Sequence, residues 1–236
     1  MIEGEKYLFI HMPKCAGTHL ISMLTHYYGG SSVYSSLFHN NIIPDSAKHK
    51  YRFIGRRNPW RWYVSYFKER RKILMGHNPY VNWMRENKCN IKELDFIDST
   101  RNYNYYDDID LFRYWYKIVH ESRICPFEEP ESNMIMDKGV YSTIYIYLAG
   151  MDEEKLEGTY RVEHLANDLD RIFKEAGMEL NLKEKILLRC HCFIKTRPTN
   201  YKKNYKEYYT KNIIDDIYEK DEYMINRYHY EFDKDI

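Results

Sequence analysis

The tightest constraint on this chain lies at its start. Tyr7-Leu8-Phe9-Ile10 is an unbroken apolar run, and a loop containing Pro13 and Gly17 follows it at once. Leu20, Met23, Leu24 and Tyr27 then recur at i, i+3, i+4 and i+7, one face of an amphipathic helix. Gly29-Gly30 supplies the stop. A short apolar run bounded by turn residues reads as a buried strand, so the opening segment spells strand, loop, helix.

The module recurs. A second strand is expected to end near Leu37-Phe38, and a third covers Tyr51 to Gly55. Asn58 then suits a helix N-cap and Pro59 its first turn, ahead of the stripe Trp60, Tyr63, Val64 and Phe67. Phe112, Trp115, Tyr116 and Val119 predict another helix, and Pro126 and Pro130 a loop. Thr159 to Val162 reads as a strand. Leu165, Leu169, Ile172, Phe173 and Ala176 form an amphipathic helix stopped by Gly177. Lys183 to Phe193 reads as helical, Thr196 to Asn204 as a basic loop, and Lys206 to Tyr230 mostly as one terminal helix. Strands alternating with helices predict an α/β fold with a mostly parallel central sheet flanked by helices. With 236 residues and no repeat, linker or low-complexity block, a single domain spanning 1–236 is expected.

Charge and cysteine usage narrow the function classes. The formal net charge is +1, so any basic site is local, which argues against a nucleic-acid partner. Five cysteines at irregular spacing make no disulfide framework, and Cys190 and Cys192 have no second pair at zinc-finger spacing. No apolar run approaches the ~20 residues of a membrane span, and no signal-peptide pattern is visible. A cytoplasmic protein without membrane or metal partners is the expectation. Two readings of the 25 tyrosines stand: a ring-stacking acceptor cleft, or a bias spread along the chain.

The loop His11-Met12-Pro13-Lys14-Cys15-Ala16-Gly17-Thr18-His19 joins a strand's carboxyl end to a helix start. Such a junction cradles anions, because free backbone N–H groups and the helix dipole face the ligand. Gly17 permits close backbone approach, Thr18 adds a hydroxyl, and Lys14 adds a full charge. The triphosphatase loop G-x-x-x-x-G-K-S/T places lysine after its second glycine. Here the lysine precedes the glycine, and no Gly-Lys-Ser/Thr occurs in the chain.

Phe9 to Thr18 resembles the donor-binding loop of sulfotransferases that use 3′-phosphoadenosine-5′-phosphosulfate (PAPS), close to the form H-x-P-K-T-G-G-T. Cys15 and Ala16 stand where threonine and glycine are common. About 40 residues later, Arg57-Asn58-Pro59 through Ser65 resembles that family's 3′-phosphate segment, with Trp62 where arginine is frequent. Arginine offers a planar fork to phosphate oxygens and serine a hydroxyl. Arg161-Val162-Glu163-His164-Leu165 with Asp168-Leu169 matches a further segment, in which Glu163 reads as structural.

The resemblance implies a fold related to the P-loop NTPases. It also implies transfer of a sulfuryl group from PAPS to a small-molecule or glycan hydroxyl, less readily an amine, leaving the bisphosphate PAP. Lys14 would be catalytic, with Cys15, Ala16, Gly17, Thr18, His19, Arg57 and Ser65 holding the donor. Lys195, Thr196 and Arg197 resemble the loop that closes over the nucleotide; an exposed basic loop is the alternative. His39, 18 residues before Arg57, occupies the family's position for a general base, with a carboxylate from the middle segment as the other candidate. His11 and His19 fit better as loop supports. The competing functions are a nucleotide or nucleoside kinase with a degenerate loop and a non-catalytic nucleotide-binding module.

Overall fold

The computed structural model of the chain describes residues 1–33, 42–74, 108–123, 136–149, 156–193 and 204–234. Two compact units result. The first comprises Met1–Asn58, Ile144–Asn200 and Asp233–Ile236; the second comprises Pro59–Thr143 and Tyr201–Phe232.

The first unit holds a mixed five-stranded sheet among helices. Its strands are β1 (Ile2–Glu3), β2 (Tyr7–Ile10), β3 (Ser31–Ser32), β4 (Tyr51–Arg56) and β5 (Gly158–Arg161), in the order β3-β1-β2-β4-β5. β2, β4 and β5 run parallel, whereas β1 pairs antiparallel with β2 and β3. All four residues of β2 are buried, as a parallel strand covered on both faces requires. The expected strands at Tyr51 and Thr159 are present within a residue or so at each end. The one expected at Leu37-Phe38 lies outside the described residues. β1 and β3 are corrections: two-residue strands carrying Glu3 and two serines have no apolar run to announce them. Ile2 is nonetheless buried in the core cluster with Phe9, Phe53 and Tyr160.

Helix α1 (Gly17–Tyr27) buries Leu20, Met23 and Leu24. The expected stripe ends there, because Tyr27 is 46% exposed and Tyr28, just past the helix, is buried instead. Gly29 at φ 66 turns the chain, and the Gly30 N–H returns to the Leu24 carbonyl at 2.9 Å. Helix α5 (Leu165–Glu175) lies beside β5 and buries Leu165, Leu169, Ile172 and Phe173. It ends at Gly177, φ 72. Helix α6 (Leu182–Phe193) starts with a reciprocal Asn181–Glu184 capping box. Helix α4 (Val140–Ala149) begins in the second unit and ends in the first.

The second unit is helical and aromatic. Helix α2 (Pro59–Leu74) begins at the expected proline and buries every residue from Trp62 to Phe67. Trp62 stacks on Tyr66 at 4.5 Å, and Phe67 meets Phe112 of α3 (Asp108–Ser122) edge-on. Tyr63, Tyr66, Tyr141 and Tyr208 are all fully buried or nearly so, so much of this unit's tyrosine content is core. His120 lies 4.1 Å from the Tyr116 ring, and burial pushes its pKa down to about 4.

The single terminal helix expected from Lys206 is instead three pieces: a 3-10 turn (Tyr205–Tyr208), α7 (Lys211–Lys220) and α8 (Glu222–Tyr228). Thr210 caps α7. The break at Asp221 coincides with a set of tertiary contacts. Its fully buried carboxylate accepts the Tyr63 hydroxyl at 2.7 Å and the Ser142 N–H at 2.8 Å. It thereby caps the N-terminus of α4 from another element. Gly139 is required there, since a Cβ would lie 2.2 Å from the carboxylate.

Burial holds the Asp221 carboxyl above its ordinary 3.8, against the pull of its hydrogen bonds from Tyr63 and Ser142. The native state therefore binds that proton more tightly than the unfolded chain. The associated stability is fully present below pH 3.8 and is lost as pH rises through the folded value. Asp221→Asn removes this titration. In urea unfolding, the stability of the wild type relative to that variant is expected to fall as pH rises from below 3.8 towards neutrality.

Candidate functional site

The site is built at the carboxyl ends of β2 and β4, where ligands sit in open α/β sheets. Ile10 pairs with Ile54 in the β2–β4 ladder. The loop after Ile10 and the arginines after Gly55 therefore leave the sheet side by side.

Within the loop, Lys14 and Ala16 both adopt left-handed backbone, at φ 60 and φ 61. Each costs a non-glycine residue about 1–2 kcal/mol. Two anchors, one buried and one partly buried, hold that shape. The Tyr160 hydroxyl donates to the Cys15 carbonyl at 2.5 Å, and Arg57 Nη1 donates to the Lys14 carbonyl at 3.3 Å. A neutral hydrogen bond contributes about 0.5–1.5 kcal/mol and one from a charged donor about 1.5–3, so the anchors match the strain in size. Cys15 also donates its N–H back to the Met12 carbonyl at 3.3 Å. Burial raises the Tyr160 phenol well above its ordinary range, which keeps it a donor at any physiological pH.

Gly17 opens α1 with the His11 ring beneath it. A Cβ there would come within 1.7 Å of that ring, so glycine is needed for packing as well as for approach to a ligand. The first backbone bond into the helix runs from the Leu20 N–H to the Ala16 carbonyl. Among the described residues, the consecutive N–H groups of Ala16, Gly17 and Thr18 donate to no acceptor. Thr18 is exposed, and Lys14 and Ala16 are partly so. Left-handed residues followed by free N–H groups form the backbone nest that receives anions.

Lys14, Cys15, Ala16, Gly17, Thr18 and His19 thus lie with Arg57 in one place. Cys15 is buried, and His11 and His19 are both buried at 9% exposure. Ser65 is buried on α2 in the second unit. His39, Lys195, Thr196 and Arg197 lie outside the described residues. Glu163 accepts the Asn58 N–H at 3.4 Å, a structural role. Asp168 takes the Arg161 N–H and both edges of its guanidinium. Among the described residues no group of three or more His, Cys, Asp or Glu side chains could hold a metal, and no helix is long and apolar enough to cross a membrane.

The sequence did not single out Tyr160 or Gly55. A Cβ on Gly55 would lie 2.3 Å from the Tyr160 hydroxyl and 2.9 Å from the Cys15 side chain, so that glycine makes room for the phenol under the loop. An open cleft of about 400 Å³ at the opposite end of the strands, lined by Lys6, Lys50, Tyr51 and Glu157 among others, is no rival for an anion. Its lysines are already held by the Gly177 and Gly4 carbonyls and by Glu3.

No family model, curated protein or solved structure matches the chain.

Lys14→Gly tests the strain at this position. Removing the left-handed penalty offsets the entropy that glycine adds to the unfolded chain. The variant is expected to be as stable as the wild type, or up to about 1 kcal/mol more so, in denaturant titrations.

Proposed function

We propose that this chain is a sulfotransferase that takes the sulfuryl group of PAPS to a hydroxyl, or less readily an amine, of a small molecule or glycan. The observation that carries the reading is the meeting of the two motif segments. The Lys14 loop, with three N–H groups that meet no acceptor among the described residues, stands beside Arg57, whose guanidinium is 3.3 Å from the loop's own backbone. The motif order, lysine ahead of glycine, argues for this donor over ATP. The parallel β2, β4 and β5 with their strand-loop-helix module suit the P-loop-related fold that the reading implies.

On this reading the Ala16, Gly17 and Thr18 N–H groups hold the 5′-phosphate end of the donor, and Arg57 serves the 3′-phosphate. A guanidinium has five N–H donors, so Arg57 can brace the loop and meet a phosphate together. PAPS supplies a sulfuryl group joined through a bridging oxygen to its 5′-phosphate. An acceptor oxygen bonds to sulfur and gives its proton to a base, for which His39 is the candidate. The bond from sulfur to the bridging oxygen breaks, and that oxygen leaves with the electron pair as part of PAP. The Lys14 ammonium stabilises the charge appearing on it. Positioning and charge carry the catalysis, as in phosphoryl transfer.

The test is transfer of ³⁵S from labelled PAPS to pooled metabolites and glycans. Lys14→Ala is expected to lose turnover by orders of magnitude while unfolding normally. His39→Ala should lose turnover yet still bind PAP, and Arg57→Ala should chiefly weaken PAP binding in calorimetry. Failure of the wild type both to bind PAP and to move label would sink the assignment, and phosphate transfer from Mg-ATP would support the kinase instead.

A further inference from the structure

Tyr160 sits under the loop without reaching its outer surface. It is fully buried on β5, level with Gly55 in the β4–β5 ladder, and its hydroxyl ends 2.5 Å from the Cys15 carbonyl. Gly55 clears the path, since any side chain there would collide with both partners.

The consequence follows from peptide geometry. The C=O and N–H of a trans peptide point to opposite sides of the chain. The carbonyl of the Cys15–Ala16 peptide is tied inward to Tyr160. Its N–H, on Ala16, is therefore turned outward, away from the core. That N–H is the first of the three consecutive donors without an acceptor among the described residues. Ala16 is also held at φ 61, a conformation it would leave at a gain of about 1–2 kcal/mol if nothing tied it down. Rotation of the Cys15–Ala16 peptide would relieve that strain and present a carbonyl, a repulsive group, where an anion is to bind.

The geometry points to Tyr160 as a positioning residue: its hydroxyl, through the Cys15 carbonyl, keeps the Ala16 N–H facing outward and so makes the Lys14 loop an anion receptor. Tyr160 touches no ligand itself. This inference rests on the anion-binding part of the proposed function and not on the identity of the donor.

The experiment uses the full chain, Tyr160→Phe, and two probes, inorganic pyrophosphate and PAP, by calorimetry. Phenylalanine keeps the ring packed against Phe9 and Phe53 and removes only the hydroxyl. Tyr7→Phe is the control for a purely structural effect. It deletes another buried hydroxyl-to-carbonyl bond of the same core, Tyr7 to Tyr28 at 3.3 Å, remote from the loop. Both variants should lose a similar, small amount of stability. Only Tyr160→Phe should weaken anion binding, by about tenfold, the worth of one hydrogen bond.

If Tyr160→Phe binds both probes as the wild type does, or if Tyr7→Phe weakens them equally, the positioning role is overturned while the sulfotransferase reading stands. If the wild type binds pyrophosphate but not PAP, and Tyr160→Phe weakens the pyrophosphate, the positioning role holds and the donor assignment falls. If the wild type binds neither probe, both fall.

Discussion

Two parallel ladders, β2 with β4 and β4 with β5, set everything at the candidate site. The first places Ile10 beside Ile54, so that the chain leaves both strands at the same level and Arg57 can reach the Lys14 carbonyl. The second places Gly55 beside Tyr160, so that a phenol stands under the loop where no side chain blocks it. Side chains alternate faces along a strand, and a slip of one residue would turn Tyr160 to the other side of the sheet. Register is thus the quantity on which the loop's shape depends, and the buried apolar faces of these strands enforce it.

The loop itself is a balance of comparable terms. Two non-glycine residues held at positive φ oppose folding by a few kcal/mol. The anchors from Tyr160 and Arg57 oppose relaxation by about as much. Strain of this kind persists where the surroundings over-determine it, commonly at sites of function. The second unit shows a different solution to a similar problem. Asp221 is desolvated at the start of α4, where two donors and a helix N-terminus offset part of the cost of burying its charge.

Much of the first unit was legible in the residues. The apolar runs at Tyr7 and Tyr51, the stripe from Leu165 to Phe173, and the glycine stops at Gly29 and Gly177 all lie where periodicity and turn chemistry put them. Lys14 and Arg57 were legible as charges at strand ends. The misses have physical causes. β1 and β3 are too short to carry a pattern. Tyr27 continues the helical stripe on paper but falls beyond the end of the core that covers it. The terminal helix reads as continuous although Thr210 offers a local cap for α7; the break at Asp221 coincides with side-chain partners 79 and 158 residues away.

By itself the sequence determined the strand-loop-helix module, the placing of Lys14 and Arg57 after strand ends, and the absence of the ordinary triphosphatase motif. Those properties are local: they follow from spacing, from side-chain charge and from where a helix exposes its N–H groups. Only the tertiary structure decided which of those N–H groups face outward, because a peptide's orientation depends on what holds its carbonyl. For Cys15 that partner is a tyrosine 145 residues away, brought close by sheet register and invisible in any window of sequence.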